Sequence, residues 1–302
     1  MTKIITHNGQ FHTDDIFAVA TLFLILGDEA EVVRTRDENL IKSGDYVVDV
    51  GNVYDPKINR FDHHQTGGAG IRKNNIPYAS FGLVWEKFGE KLCGSKDVSD
   101  ILDKKIVQFI DGTDNGVDLY RTFFDGIFPY TIYDYLNSFI PTWKEKEKED
   151  KDNVDKNFMK AVEIAGRIIE REIKITKDWI EGEKIIKDIY YKSDEKRIIV
   201  IDDYKNFERS QVTDALLVFP EVLYAVFYKK DNDFWQVVAL NIHMGTFELR
   251  KALPLSWRGK RDEELKVETG VRDAVFCHNN GFMCIAKSKE GAIKLAKLAL
   301  ES

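Results

Sequence analysis

Aspartates and histidines recur between His7 and Asp111 wherever an apolar run ends or a helix begins, which restricts the chain to folds that gather such ends in one place. His7 follows Lys3-Ile4-Ile5-Thr6, and His12 and Asp14 precede the apolar stretch of residues 16–26. Asp49 follows Tyr46-Val47-Val48, and Asp62-His63-His64 and Asp111 come after it. Four of the six histidines fall within the first 64 residues, each with an aspartate nearby. A parallel α/β sheet brings such distant residues together, because ligands gather at the carboxyl ends of its strands.

The local patterns agree with that architecture. Residues 3–6 read as a strand running into His7-Asn8-Gly9, and residues 14–26 as a helix with acidic residues in its first turn, where the helix dipole favours them. Residues 31–36 and 45–50 read as further strands, the second nearly all apolar as buried parallel strands are. Helical patterns cover residues 78–88 and 98–110, so residues 1–150 are expected to form a doubly wound parallel α/β domain.

Residues 144–156 are almost entirely Lys, Glu and Asp, have no apolar face to bury, and read as a linker. Phe158, Val162, Ala165, Ile169, Ile173 and Trp179 then recur near helical spacing, which predicts a connecting helix over residues 158–180 within a segment 151–195. Residues 196–302 read as a smaller α/β domain, with strands at 197–201, 223–228, 235–242, 274–277 and 282–286 and a closing helix at 290–300. A length of 302 residues suits two domains.

Composition narrows the function classes. With 43% hydrophobic and 31% charged residues the chain can bury a substantial core, and a net charge of -7 argues against coating nucleic acid through an overall field. Gripping a few phosphates through a local basic patch and metal ions stays open. Cys93, Cys277 and Cys284 form no CxxC pattern, so neither a disulfide framework nor a zinc ribbon is expected. Residues 16–26 are too short to span a bilayer, and no basic signal or Arg- and Ser-rich transit segment precedes them. The expectation is a soluble intracellular protein without a membrane partner.

Imidazoles and carboxylates on separate loops are what two-metal phosphoester hydrolysis needs, with two cations about 3.5–4 Å apart and a bridging carboxylate. The candidate ligands are His7, His12, Asp14, Asp49, His63, His64 and Asp111. A donor set without thiolate suits two divalent ions, Mn2+ first, with Mg2+, Co2+ or Zn2+ as alternatives. Structural roles compete at several positions. Asp14 or Asp15 can cap a helix, Asp49 and Asp111-Gly112 can mark turns, and Asp114-Asn115-Gly116 is both a turn signal and a rival for the metal role of Asp111. His63 and His64 resist such an explanation, since adjacent side chains cannot share one face of a strand.

Asp62-His63-His64 matches the name-giving motif of the DHH phosphoesterase superfamily. The segments His7-Asn8-Gly9-Gln10-Phe11-His12-Thr13-Asp14-Asp15, Val48-Asp49-Val50-Gly51, Phe61-Asp62-His63-His64-Gln65, Gly270-Val271-Arg272-Asp273-Ala274 and His278-Asn279-Asn280-Gly281-Phe282 resemble the melanocyte-proliferating-gene exonuclease family (Myg-type), nearly end to end. That resemblance implies a two-lobed DHH-like fold. It further implies Asp49 as bridging ligand, His63 as a ligand of the second metal, Asp111 as the fourth-motif carboxylate and His64 as a contact to the scissile phosphate, with His64 and Asp49 the catalytic pair.

It also implies a 3'-5' exonuclease acting on single-stranded RNA or short oligonucleotides in RNA processing, in cytoplasm, nucleus or mitochondrion. The first motif departs from the superfamily's His-x3-Asp-x-Asp, reading His7-x4-His12-x-Asp14, which leaves the division of ligands between the metals open. Two other readings stand beside this one: a small-molecule phosphoesterase or pyrophosphatase, and a non-catalytic, metal-stabilised RNA-binding or scaffold protein.

The most basic stretch is residues 250–261. Arg250, Lys251, Arg258 and Arg272 offer phosphate contacts and Trp257 a stacking face, a combination used for single strands. The competing reading is a solvated loop balanced by Asp262, Glu263 and Glu264. His278 fits substrate contact or a hydrogen-bonded structural role equally well. The superfamily's Gly-rich signature is missing from this half, where only Gly281 stands in the corresponding stretch. Oligomeric state is not legible.

Overall fold

The apolar runs of the first half become strands β1 (Thr2–Thr6), β2 (Ala30–Arg34), β3 (Tyr46–Val48), β4 (Tyr54–Asp55) and β5 (Arg60–Phe61) of one sheet, ordered β2-β1-β3-β5-β4. The first four are parallel, and β4 runs antiparallel to β5 at the edge. Ile4, Ile5, Val47, Val48 and Phe61 are fully buried, which is why these strands read as apolar runs without alternation. The computed structural model describes residues 1–146, 151–202, 206–231 and 233–302. Its two compact units are Met1–Lys177 and Asp178–Ser302.

In the first unit the helices are α1 (Thr13–Leu26), α2 (Glu38–Ser43), α3 (Ser80–Cys93), α4 (Lys96–Leu102), α5 (Gln108–Asp114), α6 (Ile132–Asn137) and α7 (Trp143–Lys146). Helix α1 is buried almost all round over its first ten residues, and its Phe17 packs on Phe81 of α3 with ring centroids 5.2 Å apart. The single helix expected over residues 98–110 is divided by a π turn at Asp103–Val107. A π turn inserts one residue into a helical turn, so apolar periodicity counted through it loses register.

The 42-residue helix α8 (Lys151–Lys192) contains the helix expected at 158–180 and extends it at both ends. Pairs such as Arg167–Glu163 and Lys187–Glu183 add side-chain support along it. The division between the compact units falls within this helix, at Lys177. Of the expected linker 144–156, residues 147–150 lie outside the described residues.

The second unit has strands β6 (Ile198–Ile201), β7 (Tyr224–Lys229), β8 (Phe234–Ala239), β9 (Ala274–Cys277) and β10 (Met283–Ala286), ordered β6-β7-β8-β10-β9. Only the β6–β7 pair is parallel. Helices α9 (Arg209–Leu216), α10 (Asp262–Thr269) and α11 (Lys289–Glu301) accompany them. Leu295, Ala296 and Ala299 of α11 pack with Trp257 and Leu265 in one core, while Val212 and Leu216 of α9 pack with Ile186 in another. Among the described residues, no helix is long and apolar enough to cross a membrane.

Strand order fixes where the first unit can hold a ligand. From β1 the chain passes to β2 on one side and then to β3 on the other, so the strand order reverses between β1 and β3. A crevice opens at such a switch point, outside the carboxyl ends of the strands. His7 and Asp49 are the residues that follow those two ends.

Candidate metal centre

Asp49 leaves β3 with φ of 56°, a left-handed conformation that aspartate tolerates better than most residues. Its buried carboxylate faces two ways. Oδ2 lies 3.2 Å from His7 Nε2, and Oδ1 lies 3.3 Å from His63 Nε2 and 3.4 Å from His64 Nδ1. Ser80 Oγ donates to Oδ1 at 3.1 Å. Burial opposes charge on this group, yet His63 and His7 hold the carboxyl well below the usual carboxylate range. The turn and ligand readings of Asp49 are therefore compatible: the turn is what aims the side chain.

His7 is poised to share an electron pair. Its Nδ1 lies 3.2 Å from the Asn8 carbonyl oxygen, a contact only an N–H can satisfy. Nε2 lies 3.1 Å from Asp15 Oδ2 and 3.2 Å from Asp49 Oδ2, yet it is aligned for a hydrogen bond with neither. Burial disfavours charge on the ring, but these two carboxylates overcome it and push the pKa up to about 10. The surroundings thus call for positive charge at Nε2.

The tandem Asp14-Asp15 divides its work. Asp15 Oδ1 accepts the His12 backbone N–H at 2.9 Å and caps α1. Asp14 turns inward, where Oδ2 accepts the Ser80 N–H at 3.2 Å and Oδ1 is buried without a partner. Burial, together with the charges of Asp49 and Asp114, raises the Asp14 pKa well above its ordinary value.

Asp62 organises the histidine pair. Its Oδ1 accepts the His64 backbone N–H at 3.1 Å and faces His64 Nδ1 at 2.8 Å, and Oδ2 accepts the Asn52 N–H at 2.6 Å. Asp62 therefore orients an imidazole, as outer-shell carboxylates do. The two rings part company: the His63 side chain is 8% exposed and points at carboxylates, whereas that of His64 is 53% exposed and lines a cavity. His63 Nε2 lies 3.3 Å from Asp114 Oδ2 and 4.0 Å from Asp14 Oδ2. Contact with Asp62 raises the His64 pKa against the effect of burial.

Three overlapping groups can hold a metal ion: His7, His12 and Asp49; Asp49, His63 and His64; and His12, Asp14 and Asp114. The fit to divalent cations rests on the unpartnered buried atoms. His7 Nε2, His63 Nε2 and Asp14 Oδ1 are buried without hydrogen bonds among crowded carboxylates, which is costly unless a cation meets them. Nitrogen and carboxylate donors without thiolate suit Mn2+, Mg2+, Co2+ or Zn2+.

Asp111 stands outside these groups. Arg72 Nη1 lies 2.7 Å from its Oδ2, and Oδ1 accepts the Gly82 N–H at 2.9 Å. Burial pushes its pKa up to about 7 against the pull of Arg72. Asp114, one turn further along α5, is the residue that reaches His63. The sequence offered both aspartates; nothing in it marked Arg72, 39 positions away, as the partner that occupies one of them.

A cavity of about 690 Å³ adjoins the centre, lined by His7, Asp49 and His64 and also by Arg36, Asn52 and Arg60. Sequence reasoning missed the last three. Their signal was positional, since Arg36 follows the end of β2 next to β1, and that adjacency is visible only once strand order is known.

The chain matches the model of the MYG1 exonuclease family, described as an uncharacterised protein family (UPF0160), over residues 3–300. It belongs to that family. A MYG1 protein of Dictyostelium discoideum is 31% identical over 320 residues, covering 97% of this chain and 94% of the relative. A MYG1 protein of Schizosaccharomyces pombe is 29% identical, covering 100% and 98%, and a human protein named MYG1 exonuclease is 28% identical, covering 99% and 85%. Among solved structures, a pGpG-specific phosphodiesterase of Vibrio cholerae aligns at 12% identity and a TM-score of 0.33, covering 100% of this chain and 98% of that one. RecJ from Thermus thermophilus, in complex with Mn2+, aligns at 11% and 0.33, covering 99% and 52%.

In this MYG1 family member the basic residues of the second unit are mostly occupied. Arg250 donates to the carbonyls of Leu217, Phe219 and Val222, Lys251 to that of Leu300, and Arg258 Nε to that of Leu253. Trp257 is 5% exposed in a hydrophobic core and presents no free stacking face. His278 Nδ1 accepts the Asn280 N–H at 3.1 Å, and its ring packs 4.2 Å from that of Phe282. Arg272 is exposed. Charge and residue type were legible here, but side-chain direction was not.

Proposed function

We propose that this protein is a divalent-metal-dependent phosphodiesterase that removes nucleotides from the 3' end of single-stranded RNA or short oligonucleotides, in RNA processing. The observation that carries the proposal is the division of the Asp49 carboxylate between His7 and His63, which is how a carboxylate bridges two ions. The name MYG1 exonuclease, borne by mammalian relatives, supports the nuclease reading.

In this reading His7, His12, Asp14, Asp49, His63 and Asp114 hold two divalent ions, with Mn2+ the first choice, and Asp114 takes the fourth-motif role expected of Asp111. When bound, the ions supply Lewis-acid activation of water and neutralise charge on the phosphate. Asp62 accepts from His64 Nδ1 and favours the protonated ring, so the half-exposed imidazolium offers an Nε2–H to a phosphate oxygen where negative charge develops. Ser80 fixes Asp49 Oδ1, so the bridging group keeps its aim. Residues 1–150 serve as the catalytic domain and 196–302 as the substrate-binding domain, in cytoplasm, nucleus or mitochondrion by family resemblance.

The inward commitment of Arg250, Lys251 and Trp257 favours one further reading, a small phosphodiester as substrate. One assay separates the cases: 5'-labelled single-stranded RNA with Mn2+, beside a chelator control and Asp49→Ala. A ladder shortening from the 3' end, lost in both controls, is expected. Intact RNA with cleaved small phosphodiesters would transfer the proposal to the second substrate class, and absence of all cleavage would refute catalysis.

A further inference from the structure

The cavity beside the metal centre contains a cation that the proposed chemistry leaves unused. Arg36 lines the same space as His7, Asp49 and His64, at the carboxyl edge of the sheet. It follows β2, two strands from β3 in the order β2-β1-β3. Strands lie about 4.8 Å apart, which puts the ends of β2 and β3 about 10 Å from each other. An arginine stem narrows that gap to one that a neighbouring phosphate of the same strand can bridge.

Of the other two cations on this wall, Arg60 donates to the carbonyls of Ile58 and Gly44, and Lys42 faces Glu38 at 3.4 Å in an exposed pair. Among the described residues Arg36 has no hydrogen-bond or ion-pair partner, and its exposed guanidinium offers the planar fork that suits phosphate. Val53 and Ile58, 45% and 57% exposed, line the same cavity and give it an apolar wall. A volume of about 690 Å³, apolar walls and a few convergent polar groups describe a small-ligand pocket.

We infer that Arg36 binds a second, non-scissile phosphate of the substrate, while Val53 and Ile58 face the intervening nucleoside. The inference rests on the phosphodiesterase reading above and narrows it: the preferred substrate carries a phosphate flanking the one that is cleaved.

The test uses the full-length protein with Mn2+ and three substrates: a 5'-phosphorylated diribonucleotide, the same dinucleotide without that phosphate, and bis(p-nitrophenyl) phosphate. Arg36→Ala is expected to raise KM for the phosphorylated dinucleotide about tenfold or more, the scale of a lost hydrogen bond to a charged group. Its kcat should stay within about threefold, bis(p-nitrophenyl) phosphate hydrolysis should be unchanged, and Arg36→Lys should restore part of the loss. Equilibrium dialysis in chelator adds a readout without turnover, in which the variant weakens binding of the phosphorylated dinucleotide and not of its dephosphorylated form. If wild type hydrolyses these substrates and Arg36→Ala affects all of them equally, or none, the Arg36 inference fails alone. If wild type hydrolyses none of them but shortens the labelled RNA, the Arg36 inference fails alone; if it cleaves no RNA either, the phosphodiesterase reading fails and this inference with it.

Discussion

Arg72 and Asp111 form a buried ion pair, Nη1 to Oδ2 at 2.7 Å, one helical turn before the aspartate that faces His63. The pair fixes Asp111 on α5 against Gly82 of α3, where an added Cβ would lie 1.8 Å from Asp111 Oδ2. Above about pH 7, where Asp111 is ionised, removing Arg72 strands its charge. At about pH 9, Arg72→Met, which also removes the contact to Asp103 Oδ1 at 3.2 Å, is therefore expected to cost about 3 kcal/mol of unfolding free energy. Urea titration checks it, and a loss below about 1 kcal/mol would mean the pair behaves as a solvated one.

The same carboxylate gives a pH dependence with a definite sign. Burial raises Asp111 to about 7, against about 3.9 for an unfolded aspartate. A folded pKa above the unfolded one means that the folded state binds more protons between these values. The stability contributed by Asp111 is then fully present below about pH 3.9 and is lost as pH rises through about 7. Unfolding free energies measured in chelator from pH 4 to 8 should carry this downward slope, and Asp111→Asn should make it shallower, the raised Asp14 and His7 carrying the rest. A slope left unchanged by the substitution belongs to those groups alone.

Asp111 and Asp114 are separable by metal binding. Asp114→Asn should lower Mn2+ affinity by more than the roughly 10–100-fold typical of outer-shell partners, while Asp111→Asn should keep the wild-type stoichiometry. Calorimetric titration reads both. In wild type, Mn2+ at 100 times its dissociation constant should stabilise the fold by about 2.7 kcal/mol per site. The opposite ranking of the two variants would return the fourth carboxylate to Asp111.

How far the sequence could be read follows from which physics acts locally. Strands β1 and β3 and helix α1 were legible because burial on both faces leaves continuous apolar runs, and their ends place His7 and Asp49 at the switch point. The short strands β4 and β5 were not, since two residues cannot display a period. Tandem histidines signalled chemistry, but the assignment of Asp15 to the cap and Asp14 to the interior needed the start of α1 to within one residue. Arg72 and Arg36 were illegible for another reason. A charged side chain takes its role from what lies beside it in space, and in the second unit the same limit hides that Trp257 faces a core.

His64 can act on a phosphate only if its ring is held, and Asp62 is the residue that holds it. Asp62 Oδ1 receives two contacts from His64, at 3.1 Å from N and 2.8 Å from Nδ1, while Oδ2 receives the Asn52 N–H. An asparagine keeps one acceptor oxygen and turns the other position into a donor, so it cannot satisfy both His64 and Asn52. Asp62→Asn should therefore lower turnover by about 10–100-fold, with bound metal retained, because Asp62 belongs to none of the three metal-holding groups. Loss of metal together with activity would instead make Asp62 a ligand. If both are retained, the orientation of His64 does not limit the reaction, and its contact to the phosphate loses its main support.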